Sequence, residues 1–531
     1  MTNLVASQSF ANDMSSTRMR IDGTTKTGIS GTAGKATLNI SYDAGTQRYS
    51  LSAAGLTQTF DSSQITVNDA TETRYQPSGG SSLERLTVVK TSYSGQPARQ
   101  YVRLGYWQRN ATDSSGVDLN LITFTYGLPT LALAVPRTGT AGYNIDVFGA
   151  ASAPGKAPLA FQGSGTFSVD FAAGVFAARA STTEYELVTG AGTVGGGLDI
   201  TAAGYLSSSD GTFSGNALYQ GTLGFAGGTI NGRFYGPTGS ELGAAFSASN
   251  ASTGLSAAGA FTGVLDATLK PDNLTLTNMT KQQLFYTQWG WNSVSQLNWQ
   301  NGETFTASPP TSNLYGGQFT IADKVTGGDP NYIVYRKTFT GTGDTQDVTL
   351  KLYKPGVANT ELVLTYATFG EWKTVEHAGV NNYPVDQFFF YGLETPARLL
   401  VGKTGSAHYQ GIVHGNASNI NNGQNDPLTG TSTIDVDFGT QVLSGSLTLV
   451  AKPTAGGSID YGRFDFSGSM PPYLATTTID FSRADQSYGH WDSRFFGPDG
   501  EEIAAKFNVN VPAGSYGAAS SLSGVALAKK Q

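Results

Sequence analysis

Cysteine is absent from the 531-residue chain. Its absence excludes disulfides, zinc–thiolate sites, iron–sulfur clusters and a cysteine nucleophile. It does not identify the redox compartment, because an oxidising exterior permits disulfides without requiring them and a large core does not need them.

Charged residues are also scarce. Only 13% of the residues are Asp, Glu, Lys or Arg, and the formal net charge is −7. A chain without a basic surplus has no field that attracts phosphate groups, so we expect no nucleic-acid partner. The hydrophobic fraction of 39% is too high for a disordered polar chain and indicates a globular protein.

Long apolar runs are missing as well. The longest candidate covers the nine residues 128–136, which is too short for a membrane-spanning helix. The first ten residues lack the basic and apolar regions of a secretory signal. We therefore expect either an intracellular protein or a chain that begins after a removed leader.

Glycine, by contrast, is abundant, with 68 residues scattered among Ser and Thr. Such a composition is typical of many short strands joined by tight turns. The length favours three or four domains, or two large ones.

An internal repeat sets the organisation of the chain. Residues 233–246 (RFYGPTGSELGAAF) align without a gap with residues 494–507 (RFFGPDGEEIAAKF), and 8 of 14 positions are identical. Other segments match at offsets that drift between 261 and 267 residues. These segments are 105–107 with 370–372, 124–128 with 389–393, 138–143 with 404–409, 169–171 with 436–438, and 263–264 with 524–525. The chain therefore consists of two copies of a unit of about 265 residues.

Each copy has the pattern of an all-β fold. Apolar and polar residues alternate in segments such as 166–171, 462–466 and 506–511, which predicts strands with one buried face. The Gly-Pro-x-Gly tetrads at 236–239 and 497–500 predict hairpin turns.

The composition shifts within each copy, near Pro136 and near Gly402. Longer strands with Trp and Tyr lie upstream, and evenly spaced short strands lie downstream. Such short strands remove their exposed edges by closing into a barrel of about eight strands. We predict four domains: a sheet domain at 1–136, a barrel at 137–270, a second sheet domain at 271–402 and a second barrel at 403–531.

Several motifs resemble the transferrin-binding protein B superfamily of Gram-negative surface lipoproteins. The resemblance rests on these segments: YGLPT at 126–130 with VPRTGTAGY at 135–143, YGLET at 391–395 with KTGSAHYQG at 403–411, and the two R-F-[YF]-G-P-x-G-x-E segments that begin at 233 and 494. It implies a bilobed all-β protein in which each lobe is a "handle" sheet followed by an eight-stranded antiparallel barrel.

The resemblance also implies a class of function. Family members capture transferrin, lactoferrin, haemoglobin, haem or complement factor H, and commonly deliver iron cargo to an outer-membrane receptor. It further implies a lipid-modified cysteine and a flexible tether ahead of residue 1. The matched motifs are scaffold motifs, so no binding residue is carried over from them.

Enzyme signatures are not found in the sequence. The chain has no G-x-S-x-G elbow and no H-E-x-x-H, and Ala397 stands where a phosphate loop ending at 402–404 needs its first glycine. We therefore predict a non-enzymatic protein, with a glycan-active enzyme using paired carboxylates as a distant alternative.

All four histidines lie in the second copy, at positions 377, 408, 414 and 490. Imidazole is a common haem ligand, so His408, His414 and His490 are candidate cofactor-binding residues. His408 and His414 lie roughly 20 Å apart on a predicted strand and cannot share one iron. The alternative is that they are ordinary exposed or hydrogen-bonded strand residues. We predict no other metal site.

Three of the six tryptophans, Trp289, Trp291 and Trp299, begin the second copy. They form a candidate contact platform for a protein or sugar, or they belong to the core of the second sheet domain.

The Asn-rich segment 416–426 and its apolar counterpart 150–160 are predicted loops at equivalent positions, and their difference indicates different tasks for the two copies.

Two repeated pairs, Arg233 with Glu241 and Arg494 with Glu502, are predicted to form structural ion pairs across their hairpins. The family resemblance implies a surface binding protein that captures an iron- or haem-carrying protein or a small cofactor for an outer-membrane transporter. It would be anchored to the outer membrane by a lipid or secreted. The alternative is a surface adhesin or self-assembling coat protein without transported cargo.

Overall fold

The computed structural model describes all residues except 2–3, 54, 80–81, 93–94, 96, 191, 290–292, 301–303, 308–316, 341–343, 401–402, 422 and 472–475. It divides into two units, Met1–Asp272 and Asn273–Gln531. The described residues form β-strands and four short 3-10 helices, without an α-helix. The 3-10 helices are Ser62–Gln64, Ala132–Ala134, Ile321–Asp323 and Ala397–Leu400.

The first unit begins with two antiparallel sheets. Their strands are β1 (Gln8–Ser9), β2 (Ala11–Asp22), β3 (Gly28–Gly34), β4 (Leu38–Asp43), β5 (Arg48–Ala53), β6 (Leu56–Phe60), β7 (Ile65–Asn68), β8 (Glu72–Tyr75), β9 (Ser82–Val89), β10 (Val102–Thr112) and β11 (Gly116–Gly127). The four-stranded sheet has the order β1-β4-β5-β6, and the seven-stranded sheet has the order β3-β2-β11-β10-β9-β8-β7.

A closed eight-stranded barrel follows in the first unit. Its strands are β12 (Thr140–Ser152), β13 (Leu159–Asp170), β14 (Val175–Glu186), β15 (Thr193–Leu206), β16 (Thr212–Gly221), β17 (Gly224–Tyr235), β18 (Glu241–Asn250) and β19 (Leu255–Leu265). Pairing of β12 with β19 closes the barrel, so none of its strands is left as an exposed edge.

The second unit begins with a nine-stranded sheet of order β23-β22-β21-β20-β28-β27-β26-β25-β24. The strands are β20 (Gln283–Trp289), β21 (Ser293–Gln300), β22 (Thr304–Ala307), β23 (Gly317–Phe319), β24 (Lys324–Val325), β25 (Tyr332–Thr340), β26 (Asp344–Tyr353), β27 (Ala367–Ala378) and β28 (Asn381–Gly392). We call this sheet, and the seven-stranded sheet of the first unit, the handle sheets.

The second barrel repeats the strand order of the first. Its strands are β29 (Ser406–Asn419), β30 (Asn425–Asp437), β31 (Val442–Ala451), β32 (Ile459–Ser469), β33 (Thr476–Ser482), β34 (Tyr488–Phe496), β35 (Glu502–Val511) and β36 (Ser520–Lys530). The described ladder runs from β33 through β36 and β29 to β32. The predicted all-β class, with a sheet and an eight-stranded barrel in each half, is confirmed.

In the described part of the chain, no helix has the length and apolar character needed to cross a bilayer.

Side chains fill both barrels. Aromatic residues such as Phe167, Phe213 and Phe234 pack inside the first barrel, and Phe466 and Trp491 pack inside the second. A barrel of eight strands leaves room only for such a packed core. Any site for a ligand must therefore lie on the loops or on the outer faces.

The family-type motifs meet at one hairpin in each unit. Thr130 of the YGLPT segment donates a hydrogen bond to the carbonyl of Gly236 at 2.6 Å, and Thr395 of YGLET donates one to Gly497 at 2.6 Å. The motif tyrosines Tyr143 and Tyr409 donate to the carbonyls of the second turn glycine, Gly239 and Gly500, at 2.7 and 2.6 Å. The motifs therefore lock the start of each barrel onto its Gly-Pro-x-Gly turn.

A buried glutamate joins sheet to barrel in each unit. The carboxylate of Glu241 accepts hydrogen bonds from the backbone N–H groups of residues 100, 101 and 102 at 2.6, 2.8 and 2.9 Å. Glu502 accepts the N–H groups of residues 365, 366 and 367 at 2.7, 2.9 and 2.8 Å. Each carboxylate thus binds three consecutive amides at the start of a handle strand. We call these contacts the glutamate clamps.

The predicted ion pairs across the hairpins are wrong. Arg233 instead pairs with Asp13 of β2 at 2.8 Å, and Arg494 pairs with Glu394. The cross-strand register puts Glu241 opposite Tyr235 and Glu502 opposite Phe496, so neither glutamate lies opposite its arginine. Both glutamates reach instead for backbone N–H groups of the handle sheet.

Replacing a clamp carboxylate should destabilise the protein strongly. In Glu502→Ala, three backbone N–H groups that lie in the interior lose their acceptor, which we expect to lower the free energy of unfolding by about 3–5 kcal/mol. Urea unfolding followed by tryptophan fluorescence measures this change. Asp465→Ala, which removes an exposed carboxylate from the same barrel, should change the stability by less than about 0.5 kcal/mol. Equal effects of the two variants would contradict the role of the clamp.

Glu501, next to the second clamp, should make stability depend on pH. Burial raises its pKa from 4.5 to about 7. The folded state therefore holds a proton between these values that the unfolded chain releases, and stability falls as the pH rises from about 4.5 to about 7. Between pH 5 and 8 the wild type should lose about 1–2 kcal/mol more than Glu501→Gln, measured by urea unfolding. Parallel pH profiles of the two proteins would refute this.

Candidate functional site

The two units differ where the handle sheet packs on the outer face of its barrel. In the first unit this sheet–barrel cleft is filled by apolar side chains. Tyr106 of the sheet stacks on Phe148 of the barrel with ring centroids 4.5 Å apart. Leu121, Ala245 and Ala260 are buried in the same two apolar clusters. Around Tyr106 and Phe148 the cleft of the first unit is therefore a hydrophobic contact, and a buried ion pair between Arg99 and Asp146, 2.7 Å apart, also joins its sheet to its barrel.

The second unit carries polar residues at the equivalent positions. The repeat, with offsets of 261–266 residues, places Glu371, Asp386, His414 and Lys506 where the first unit has Tyr106, Leu121, Phe148 and Ala245. At the position of Ala260 the strand register places Val525, because Val525 pairs with His414 and Lys506 as Ala260 pairs with Phe148 and Ala245. The match of 263–264 with 524–525 in the sequence is therefore wrong in register. On β28, Phe389 and Tyr391 point into the sheet core. Because side chains alternate between the two faces of a strand, Asp386 and Phe388 point to the opposite face, toward the barrel. Four positions that are apolar in the first unit are thus polar in the second.

Ion pairs organise the sheet side of this surface. Glu371 pairs with Lys351 at 2.7 Å and with Lys373 at 2.8 Å, and Lys373 also reaches Asp386 at 3.2 Å. Burial, with the negative charge of Glu371 as the second cause, raises the pKa of Asp386. The environment of Asp386 therefore favours a further positive charge or hydrogen-bond donor.

A cavity of about 530 Å³ lies in this cleft. It is lined from the sheet by Asp386, Gln387 and Phe388, and from the barrel by Thr478, His490, Asp492, Lys506, Phe507, Asn508, Ser521, Ser523 and Gly524. Its volume falls within the range of small-molecule sites, roughly 300–1,000 Å³.

Two acceptor atoms that face the cavity are buried without a hydrogen-bond partner among the described residues. They are Oδ1 of Asp386 and Oδ1 of Asp492. The unpaired Oε1 of Gln387 lies on the opposite face of the strand, toward the sheet core. Asp492 is only 6% exposed, and its other oxygen lies 3.4 Å from Nζ of Lys506. Buried acceptors of this kind are costly to leave unpaired, so the lining calls for donors from ordered water or from a ligand.

The candidate histidines lie in two places. His414 and His490 are at the sheet–barrel cleft. His414 stacks on Phe369 at 5.0 Å and contacts Glu361 through Nε2 at 3.1 Å, and this contact lowers the pKa of Glu361. His490 contacts Asp480 through Nδ1 at 2.7 Å.

His408 lies on the outer face of the second barrel, bonded to Asp435 at 2.7 Å and Gln410 at 3.2 Å. The part of the chain that the structure describes contains no group of three or more His, Asp or Glu placed to hold a metal ion. The suggested role of the three histidines in binding haem stays a prediction.

The tryptophan platform is only partly described. Trp299 lies on β21 and packs, half-buried, against the core of the nine-stranded sheet. Trp291 and the side chain of Trp289 lie outside the described residues. Their role as a contact surface therefore also stays a prediction.

An exposed apolar loop links sheet to barrel in the first unit. Leu131 and Leu133, on either side of the start of the 3-10 helix Ala132–Ala134, are 78% and 102% exposed. The equivalent residues in the second unit are Pro396 and Arg398. Large apolar side chains held this far into solvent are typical of protein contact sites.

Sequence reasoning did not find the cavity or the clamps. The alternating segment 506–511 correctly predicts an inner apolar face and an outer polar one, which carries Lys506 and Asn508. The aligned repeat could have indicated the cavity, because apolar residues on the outer strand faces of the first copy align with charged residues in the second.

Comparison with known proteins gives one family match. Residues 401–530 match the family model described as the C-lobe and N-lobe β-barrels of Tf-binding protein B. A search of curated proteins finds no match.

Solved structures of transferrin-binding protein B (TbpB) are also found. A double mutant from Haemophilus parasuis Hp5 is 16% identical, with 84% of this chain and 85% of that chain covered and a TM-score of 0.29. Intact Ap-TbpB, with N and C lobes, is 15% identical, with 97% and 95% covered and a TM-score of 0.27. The isotype 1 protein from serogroup B Neisseria meningitidis is 15% identical, with 97% and 99% covered and a TM-score of 0.26. On the family match to its second barrel and on its two sheet-and-barrel units, the chain has a fold like that of transferrin-binding protein B.

Proposed function

We propose that the chain is a non-enzymatic surface binding protein of the transferrin-binding protein B type. It captures an iron- or haem-carrying protein or a small cofactor and passes it to an outer-membrane transporter. The observation that carries the proposal is the match of residues 401–530 to the barrel family. In this proposal the protein sits on the outer membrane through a lipid anchor outside this chain, or is secreted.

The repeated motifs stabilise the scaffold and leave other surfaces free to differ, which supports a binding role. The motif residues Thr130, Tyr143 and their counterparts in the second unit form hydrogen bonds within the scaffold. The surfaces outside these motifs differ between the copies, as the loop at Leu131 and the two clefts illustrate. A rigid repeated scaffold with divergent loops and faces is suited to holding different partners.

The exposed loop of the first unit is the proposed contact for a protein ligand. Leu131 and Leu133 project from a segment that Thr130 fixes to the barrel hairpin. Because the loop is anchored at its base, docking costs little conformational entropy, and two leucines supply apolar area to bury.

Surface plasmon resonance on the immobilised full chain tests this function. Transferrin, lactoferrin, haemoglobin and free haem are passed over it in turn, and saturable binding of at least one is expected. Leu131→Asp combined with Leu133→Asp should weaken protein binding at least tenfold, because charged groups replace the apolar contact. The control is Val357→Asp with Val380→Asp, two equally exposed valines of the second unit, which should change affinity less than twofold.

Two outcomes would contradict the proposal. Binding of none of the four ligands, together with concentration-dependent self-association of the chain, would favour an adhesin or coat protein without cargo. Equal loss of binding in the leucine and valine variants would remove the loop as the contact while leaving capture itself intact.

A further inference from the structure

We infer that the cavity in the sheet–barrel cleft of the second unit binds a small organic cation, an amine or guanidinium compound, with Asp386 and Asp492 as its charged contacts. This inference does not depend on the proposed capture of an iron protein. It concerns a separate small-molecule site on the outer face of the second barrel.

The cavity is a product of substitution rather than of the fold. The first unit closes the same cleft with Tyr106 stacked on Phe148, and Leu121 is buried beside this pair. In the second unit, Asp386 stands at the position equivalent to Leu121, and a cavity of about 530 Å³ lies between the sheet and the barrel. The scaffold therefore does not require a hole here, since one copy does without it.

The chemistry of the walls selects for a donor-rich ligand. Both unpaired buried atoms that face the cavity are acceptors, Oδ1 of Asp386 and Oδ1 of Asp492. An N–H or O–H of a ligand would satisfy them, whereas another acceptor would leave them unpaired and add repulsion.

The unpaired oxygens favour a cation over a neutral polyol, because both belong to carboxylates. Asp386 uses its other oxygen to pair with Lys373 at 3.2 Å, and Asp492 uses its other oxygen to pair with Lys506 at 3.4 Å. The second oxygen of each carboxylate is therefore the atom that a ligand would meet. On the sheet side, Glu371 stands close enough to Asp386 to raise its pKa further, after burial as the main cause. A positive ligand group beside Asp386 would relieve this repulsion.

The remaining walls suit the rest of such a molecule. Phe388 offers an aromatic surface for a methylene chain or a cation, and Ser521, Ser523 and Thr478 offer hydroxyl groups. A site with charged contacts on two opposing walls fits a compound with a cationic group at one or both ends.

Isothermal titration calorimetry on the full wild-type chain tests the inference with four probes. 1,4-Diaminobutane and agmatine carry the required cations, 1,4-butanediol is the neutral analogue, and succinate is the anionic one. The two cations should bind saturably at one site per chain, and the diol and succinate should bind at least tenfold more weakly.

Matched variants locate the site. Asp386→Asn and Asp492→Asn should each weaken the binding of the cations at least tenfold. Asp465→Asn, which neutralises an exposed carboxylate of the same barrel, should change it less than twofold. Circular dichroism melting curves verify that each variant is folded, and the wild-type ranking of the four probes decides the ligand class without any variant.

Other results would overturn the inference. Absence of saturable binding by both cations would remove the site. Diol or succinate binding as tightly as the diamine would refute the cationic class. An equal loss in Asp465→Asn would show general attraction to negative charge. Failure to capture any iron protein would leave this outcome unchanged, so the two proposals fail separately.

Discussion

In each unit a buried carboxylate of the barrel binds the backbone of the handle sheet. Glu241 and Glu502 each accept three consecutive backbone N–H groups, at distances between 2.6 and 2.9 Å. A buried carboxyl group needs hydrogen bonds to replace its lost water, and three amide donors supply them. Burial raises the pKa of Glu502, and its bonds to the three amides act in the opposite direction. Because a carboxylate one residue away could not meet these amides, the clamp fixes the position of the handle sheet against its barrel, and with it the geometry of the cleft between them.

This constraint explains how the two copies could diverge. Both units have the glutamate clamp and the hydrogen bonds from Thr and Tyr to the hairpin turn. The side chains in the cleft are therefore not the only contacts that hold the sheet on the barrel. The first unit kept an apolar contact around Tyr106 and Phe148, and the second carries charged and polar groups around Asp386. A repeated scaffold thus provides one closed cleft and one open one, at equivalent places.

Much of the fold could be predicted from the sequence, because its signals are local. The alternation in 506–511 and the Gly-Pro-x-Gly turns depend on neighbouring residues, and the structure places Gly239 and Gly500 at φ of 72° and 75°, as turns of this kind require. The clamp could not be predicted, since Glu502 binds amides 135–137 residues away. The same sequence pattern suggested a nearby arginine instead. The cavity could not be predicted either. It forms between a face of the sheet and a face of the barrel, and the residue spacing along one strand does not show which faces pack together.

The central claim is that one scaffold was kept twice while its two clefts took different chemistry. A high-resolution crystal structure of the full chain tests this most directly. The account predicts both glutamates bonded to three amides, a first-unit cleft without ordered solvent, and a second-unit cleft with ordered water or ligand bonded to Asp386 and Asp492. A second-unit cleft collapsed onto apolar contacts, with both aspartates turned away into bulk solvent, would contradict it.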